Sequence, residues 1–156
     1  MSRKGPSAEL SRILEEGYQR KAWHGPNLKG SLRGVTPAQA AFRPAPGRHS
    51  IRELALHAAY WKYTVWRRLT GQKRGSFPLA GSNWFPRSGV PSAKEWKKEK
   101  ELLEREHRRL GAVVARLPAR PPQSILRQVY GVALHDAYHT GQIQYVKRLL
   151  RGRRAR

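Results

Sequence analysis

Residues 134–142 read LHDAYHTGQ and lie within an otherwise apolar helical pattern near the C-terminus. His135 and His139 are four residues apart, so on an α-helix their side chains project from the same face. A third histidine, His57, lies within a second apolar run, IRELALHAAYW at residues 51–61. If these two helices pack side by side, the three imidazoles form the kind of metal site that leaves a coordination position open.

Apolar residues at helical spacing extend well beyond these two runs. They recur in four long segments, at about residues 7–23, 51–70, 93–117 and 123–150. Thr36, Ser50 and Ser92 each begin a capping box, and Gly71 suits the left-handed end of a helix. No stretch alternates as a strand would. We therefore predict an all-α fold, a four-helix bundle in which residues 71–91 form a long crossover loop between the second and third helices.

Length and hydropathy indicate a single soluble domain. A chain of 156 residues can bury one core, and we expect one domain over residues 1–156 with a frayed basic tail at 151–156. The N-terminus lacks the apolar core of a signal peptide, and no stretch approaches the ~20 apolar residues of a membrane span. We expect a cytoplasmic protein with no membrane partner.

The chain has no cysteine. This excludes disulfides, thiolate ligands and a protein thiol nucleophile, so histidine and carboxylate groups must bind any metal, and any reactive thiol must come from another molecule. A site of three imidazoles favours Zn²⁺ or Ni²⁺, with Fe²⁺, Mn²⁺ and Co²⁺ as alternatives. An ion held in this way lowers the pKa of a bound water or thiol.

The formal net charge of +22 requires a nucleic-acid function to be considered. Basic residues are spread over the whole length, and the one dense cluster is at residues 147–156. The sequence shows no helix-turn-helix, zinc-finger or RNA-binding signature. The cluster is therefore either a solvated tail or a contact for nucleic acid, and in the second case the candidate residues are Arg151, Arg153 and Arg154.

Two polar residues close to the paired histidines are candidates for supporting roles. Asp136 is the only aspartate, and it lies about 100° around the helix from His135. We expect it to orient an imidazole or to form an ion pair with a neighbouring helix, rather than to bind the same ion. Gln142 shares the helix face of His139 and is a candidate hydrogen-bond donor beside the open coordination position.

The remaining histidines and the aromatic residues have different expected positions. His107 lies among charged residues and His49 lies in a loop, so we expect both on the surface. His24 follows a helix break and is a candidate for the mouth of a pocket. The walls of that pocket are predicted to include Trp23, Trp61 and Tyr138.

Four stretches of the sequence together resemble the DinB-like (DinB/YfiT) superfamily: AWHGP at 22–26, PAPGRHSIREL at 44–54, NWFP at 83–86 and YGVALHDAYHTGQI at 130–143. The resemblance covers nearly the whole chain, and the last stretch is the most specific. It implies an up-down-down-up four-helix bundle, often a homodimer, with a divalent metal held by His57, His135 and His139. Members of known activity are metal-dependent transferases and isomerases that use low-molecular-weight thiols such as bacillithiol, mycothiol or glutathione, and some are linked to stress responses. The net charge of +22 departs from what the family leads us to expect.

Three functional hypotheses follow. The first is a metal-dependent enzyme, a transferase using an external thiol or a hydrolase using metal-bound hydroxide, that acts on a small-molecule substrate. The second is a basic, nucleic-acid-associated stress protein in which the metal is structural. The third is a catalytically silent bundle.

Overall fold

The computed structural model describes residues 6–154, and regular structure there is helical. The helices are α1 (Pro6–Tyr18), α2 (Leu28–Ser31), α3 (Pro37–Ala41), α4 (Ile51–Thr70), α5 (Ala93–Val114) and α6 (Gln123–Arg154). Within this range there is no strand, and an isolated bridge joins Ala22 to Gly25. The predicted all-α class is therefore confirmed. None of the described helices has the length and apolar character needed to cross a membrane.

Local capping chemistry sets most helix ends. Capping boxes at Thr36, Ser50 and Ser92 begin α3, α4 and α5, as predicted. Gly71 ends α4 with φ 68° and ψ 14°, a left-handed conformation that glycine adopts without a Cβ clash. The long connection between α4 and α5 contains no helix or strand, also as predicted.

Two predicted helix boundaries were wrong. The first helix ends at Tyr18 rather than near residue 23, because the chain turns before the short α2, which Asn27 caps. The last helix continues to Arg154, beyond the predicted end near residue 150. Residues 151–154 of the predicted frayed tail are therefore helical, and residues 155–156 lie outside the described range. Arg153 places its guanidinium 4.9 Å from the centre of the Phe42 ring, a contact that ties the helix end to the rest of the fold.

Side-chain contacts show the relative direction of α4 and α5. Near the start of both helices, Arg52 binds Glu99 through two hydrogen bonds of 3.1 and 2.6 Å. Towards their ends, the Arg109 guanidinium lies 3.4 Å from the centre of the Trp66 ring. The contacts therefore advance along both helices in the same direction.

The contacts between α4 and α6 run in opposite directions. His57 lies against His139, with ring centroids 4.8 Å apart. One turn later on α4, Trp61 lies against His135, one turn earlier on α6, with centroids 6.1 Å apart. This antiparallel packing brings the two predicted histidine-bearing segments together.

Helix α1 packs closely against α6 through Gly17. A methyl group on Gly17 would lie 2.9 Å from the carbonyl oxygen of Ala133, which is too close for a side chain. The next residue, Tyr18, is buried and donates a hydrogen bond to Glu104 of α5 at 2.9 Å. The glycine thus allows α1 to approach α6 while Tyr18 connects it to α5.

A fully buried ion pair joins α4 to α6. Lys62 binds Asp136, and both side chains are 0% exposed. The Lys62 ammonium also lies 5.0 Å from the centre of the Tyr18 ring, within range of a cation–π interaction. Burial raises the pKa of the Asp136 carboxyl, and the nearby ammonium opposes that shift. Asp136 therefore pairs with a neighbouring helix, one of the two roles expected for it.

The prediction that His107 lies on the surface was wrong. The residue is 1% exposed, its ring stacks on Tyr18 with centroids 3.8 Å apart, and its Nε2 lies 2.9 Å from a carboxylate oxygen of Glu15. Burial lowers the pKa of His107 to about 4. Its charged sequence neighbours were misleading, because its helix face is shared with Leu103 and Leu110, which are both buried.

We predict that Lys62→Met lowers the free energy of unfolding by about 3–5 kcal/mol, because it leaves the Asp136 carboxyl buried without its partner. The double variant Lys62→Met/Asp136→Leu should lose much less, since it removes both charges together. Urea denaturation of the metal-free proteins measures these values, with Asp136→Leu as the second single variant. A loss of unfolding free energy in the double variant equal to the sum of the losses in the two single variants would contradict the assignment.

Candidate metal centre

Three histidines from α4 and α6 meet at their Nε2 atoms. His135 Nε2 lies 3.0 Å from His57 Nε2 and 2.9 Å from His139 Nε2. The three residues form a group whose potential ligand atoms all lie within 4.8 Å of one another. Nitrogens bound to one ion at about 2.1 Å, with angles of about 90–110°, are about 3.0–3.4 Å apart. Two of the three nitrogen–nitrogen distances are therefore close to those of ligands bound to one divalent ion, and the third is at most 4.8 Å.

The hydrogen bonds of the other ring nitrogens define the protonation of the cluster. His57 Nδ1 donates to the Asn83 carbonyl oxygen at 2.7 Å, and His139 Nδ1 donates to Gln142 Oε1 at 2.6 Å. In the neutral imidazole, the Nε2 of each of these residues is then an unprotonated acceptor. A proton on His135 Nε2 can satisfy only one of the two acceptors, whereas a cation satisfies all three lone pairs.

Burial keeps these imidazoles neutral at physiological pH. It lowers the pKa of His57 to about 4 and that of His135 to about 3, and it also lowers the pKa of His139. The proximity of His139 lowers the first two further. Neutral imidazole is the form that binds metal ions, so the site does not have to lose protons before binding at pH 7.

The crossover loop supports His57 through Asn83 and Trp84. Asn83 has φ 63°, a left-handed conformation that asparagine tolerates better than most residues. Its carbonyl accepts from His57 and its side-chain oxygen accepts from Trp61 Nε1 at 2.9 Å. The Trp84 indole lies between two imidazoles, stacked on His57 at 3.8 Å and on His49 at 3.5 Å. The loop therefore fixes both the ring plane and the tautomer of His57.

Glu53 holds the segments on either side of this stack. Its carboxylate accepts hydrogen bonds from the Ser50 amide at 3.0 Å, from the Arg87 amide at 2.8 Å and from the Arg43 guanidinium. Burial opposes ionisation of Glu53, but these hydrogen bonds outweigh it and lower the pKa. One buried carboxylate thus joins the start of α4 to the loops before it and after it.

Two cavities lie near the histidine cluster. The larger has a volume of about 820 Å³, and its lining includes His49, Tyr138 and Gln142. The smaller has a volume of about 310 Å³, and its lining includes Trp61 and His135. The smaller cavity therefore reaches the cluster at His135. The larger one borders it only through Tyr138 and Gln142, which both contact His139.

Several residues predicted for the site lie where they can act there. Trp61 packs edge-on to His57 and His135, with centroids 6.4 and 6.1 Å apart. Tyr138 lies edge-on to His139 at 5.1 Å and is 64% exposed. Gln142 accepts a hydrogen bond from His139, in contrast to the donor role expected for it.

Other predicted residues lie away from the cluster. Trp23 is 98% exposed and His24 is also exposed, so neither forms a wall of the site. Both follow the early end of α1, which directs this segment outward. Among the candidate nucleic-acid contacts, Arg151 and Arg153 are exposed on α6. The side chain of Arg154 lies outside the described part of the chain.

Sequence reasoning missed three residues that support the site: His49, Asn83 and Trp84. His49 was expected on the surface, and it is exposed, but one face of its ring covers Trp84. Asn83 and Trp84 belong to the NWFP stretch, which carried the family resemblance without receiving a role. Within a glycine-rich loop, the asparagine could have indicated a left-handed backbone conformation, and the tryptophan after it could have indicated that the loop packs against the helices.

Comparison with known proteins assigns the family. The family model described as DinB superfamily matches residues 22–143, which include all three histidines and the crossover loop. Searches of curated proteins and of solved structures give no match. The matched range exceeds half of the chain, and the protein therefore belongs to the DinB superfamily.

Proposed function

We propose that the protein is a metal-dependent enzyme that uses an external thiol to carry out group transfer, or water to carry out hydrolysis, on a small molecule. The observation that carries this proposal is the convergence of three imidazole Nε2 atoms, two of which are fixed as acceptors by hydrogen bonds on the opposite side of the ring. Zn²⁺ and Ni²⁺ fit this donor set best, with Fe²⁺, Mn²⁺ and Co²⁺ as alternatives. When bound, the ion would lower the pKa of a thiol or water beside it and polarise the electrophile.

The protein's own residues would orient and shield the reactants. His57, His135 and His139 would hold the ion, and the Asn83 carbonyl and Gln142 amide would keep two of the rings in the ligand tautomer. Tyr138 and Trp61 supply aromatic surfaces beside the cluster, one in each cavity. Two cavities are consistent with two reactants, as a transfer reaction needs.

The absence of cysteine is consistent with this division of roles. A chain with 32 basic and 10 acidic residues attracts anionic small molecules by long-range electrostatics, and of the thiols named above glutathione and bacillithiol carry carboxylates. The proposal includes the up-down-down-up topology, which agrees with the pairwise helix directions described above. It also includes a cytoplasmic homodimer, for which light scattering and localisation are the relevant measurements.

We predict that His139→Ala lowers the metal content of untagged protein from about one ion per chain to a small fraction of that value, because two imidazoles bind a divalent ion far less tightly than three. His24→Ala is the matched control, since it removes an exposed histidine outside the cluster and should leave the content unchanged. Elemental analysis of protein purified without a chelating column measures both. Full metal content in His139→Ala would exclude this site.

We predict that Gln142→Met weakens metal binding by about 10–100-fold, because it removes the acceptor that orients His139 while keeping the side-chain length. Gln142→Glu keeps an acceptor at the same place and should bind at least as tightly as the wild type. Competition with a fluorescent chelator gives the two affinities. Equal affinities for the Met and Glu variants would show that this hydrogen bond does not support the ligand.

We predict that the metal-loaded protein accelerates conjugation of a thiol such as glutathione to an aryl halide, and that chelation abolishes the acceleration while re-addition of Zn²⁺ or Ni²⁺ restores it. The same cycle with His139→Ala should give no acceleration before or after metal addition. Absorbance of the thioether product follows the rate. If the protein holds one ion per chain but accelerates neither conjugation with any thiol tested nor hydrolysis, a structural metal or a catalytically silent bundle is favoured instead.

A further inference from the structure

The smaller cavity beside the cluster has a chemical character of its own. It is lined on one side by Trp61, Val65 and Arg68 of α4, and on the other by residues of α6 that include Arg127 and His135. Its volume of about 310 Å³ is at the low end of ligand-binding cavities, so it fits one functional group of a ligand rather than a whole cofactor. Gly131, also in the lining, leaves open space where a side chain would otherwise project.

Neither Arg68 nor Arg127 has a carboxylate partner in the described part of the chain. All ten acidic residues are described and engaged elsewhere. Eight of them pair with lysine or arginine, Glu15 pairs with His107, and Glu95 closes the capping box at Ser92. Within residues 6–154 these two guanidiniums therefore meet no carboxylate, and an anion that binds them would come from outside this part of the chain.

The two arginines differ from the many other unpaired basic residues in their placement. They come from different helices and line one concave site, beside an indole and next to a metal-ligand candidate. Guanidinium groups bind carboxylate and phosphate oxygens through two parallel hydrogen bonds, which a scattered surface charge cannot provide. The Trp61 ring adds an apolar surface for the carbon chain that bears the anion.

From this geometry we propose that Arg68 and Arg127 form a binding site for an oxyanion, the carboxylate or phosphate group of a molecule that reacts at the three-histidine centre. The assignment of that molecule as a reactant rests on the proposed function. Anion binding by the two arginines does not depend on it. Because His135 belongs to both the cluster and the cavity wall, a ligand anchored by the arginines has its remaining atoms directed along α6 towards the centre.

The test compares Arg68→Gln/Arg127→Gln with Arg116→Gln/Arg148→Gln. Both double variants remove two positive charges, but Arg116 and Arg148 are exposed and lie outside this cavity. The probes are inorganic phosphate and succinate, titrated calorimetrically at constant ionic strength into each protein. The expected result is saturable binding of one probe per wild-type chain, weakened by at least about tenfold in the first variant and nearly unchanged in the second. Preference for phosphate or for succinate identifies which oxyanion the site takes.

Two results would overturn the proposal. Equal loss of binding in both variants would mean that the net charge alone attracts the probes. Undiminished binding in the cavity variant would place the anion elsewhere, including on the metal. Metal content measured on the same samples separates this test from that of the proposed function. Arginine-dependent binding in a protein that holds no metal would support the anion site and reject the metal chemistry. Stoichiometric metal without arginine-dependent binding would reject the anion site and leave the proposed function standing.

Discussion

The buried ion pair between Lys62 and Asp136 constrains the rotation of α6 about its own axis. Asp136 immediately follows His135, and successive residues on a helix point about 100° apart. While Asp136 remains with Lys62 in the core, His135 and His139 face the edge of α4 that carries His57. Turning α6 by one residue would carry Asp136 away and leave the buried Lys62 ammonium without its partner, at a cost of several kcal/mol. A buried ion pair contributes little net stability compared with an apolar pair of the same size, but this one still determines the direction in which His135 and His139 point.

The crossover loop supplies contacts to His57 that α4 and α6 do not provide. Without a cation, at most one of the two close Nε2 contacts of His135 can be a hydrogen bond, and the lone pairs of the other contact repel, so the rings must be held in place by other contacts. His139 is held by Gln142 on its own helix, but His57 depends on Asn83 and Trp84, which lie 26 and 27 residues further along the chain. Glu53 in turn connects this loop to the start of α4. The centre is therefore preorganised by tertiary structure rather than by the helices alone.

Helical periodicity and capping chemistry predict most of the fold, because both act over a few residues. The capping boxes, the Gly71 end of α4 and the pairing of His135 with His139 on one face are all local and were all predictable. The burial of His107 was not predicted. Its charged sequence neighbours indicated an exposed position, whereas its helix face indicated a buried one, and the ring is in fact buried against Tyr18. Lys62 was missed for a related reason. A lysine within an apolar run is expected at the edge of the buried helix face, near solvent, unless its buried partner is known, which here is Asp136.

The three candidate metal ligands could be predicted from the sequence, but the residues that surround and support them could not. Imidazoles spaced for one ion can be read directly from the sequence, whereas Asn83, Trp84 and His49 act through backbone conformation and stacking that require the folded loop. Trp23 shows the opposite error, because an aromatic residue beside a family-like motif lies almost completely in solvent. Chemical type alone does not place an aromatic residue in a pocket, since a shift of a few residues in a helix end can turn it outward.

The charge composition links the fold to the kind of ligand that the centre accepts. The ten acidic residues already serve as ion-pair partners, as the hydrogen-bond partner of His107 or in a helix cap, so none is available to balance the groups around the cavities. A divalent ion bound by three neutral imidazoles would add two further positive charges, which no nearby carboxylate would offset. A neutral ligand would leave that charge uncompensated at the base of a basic cleft. An anionic ligand neutralises it on binding, and the affinity gained in this way is greatest where the cavity excludes water.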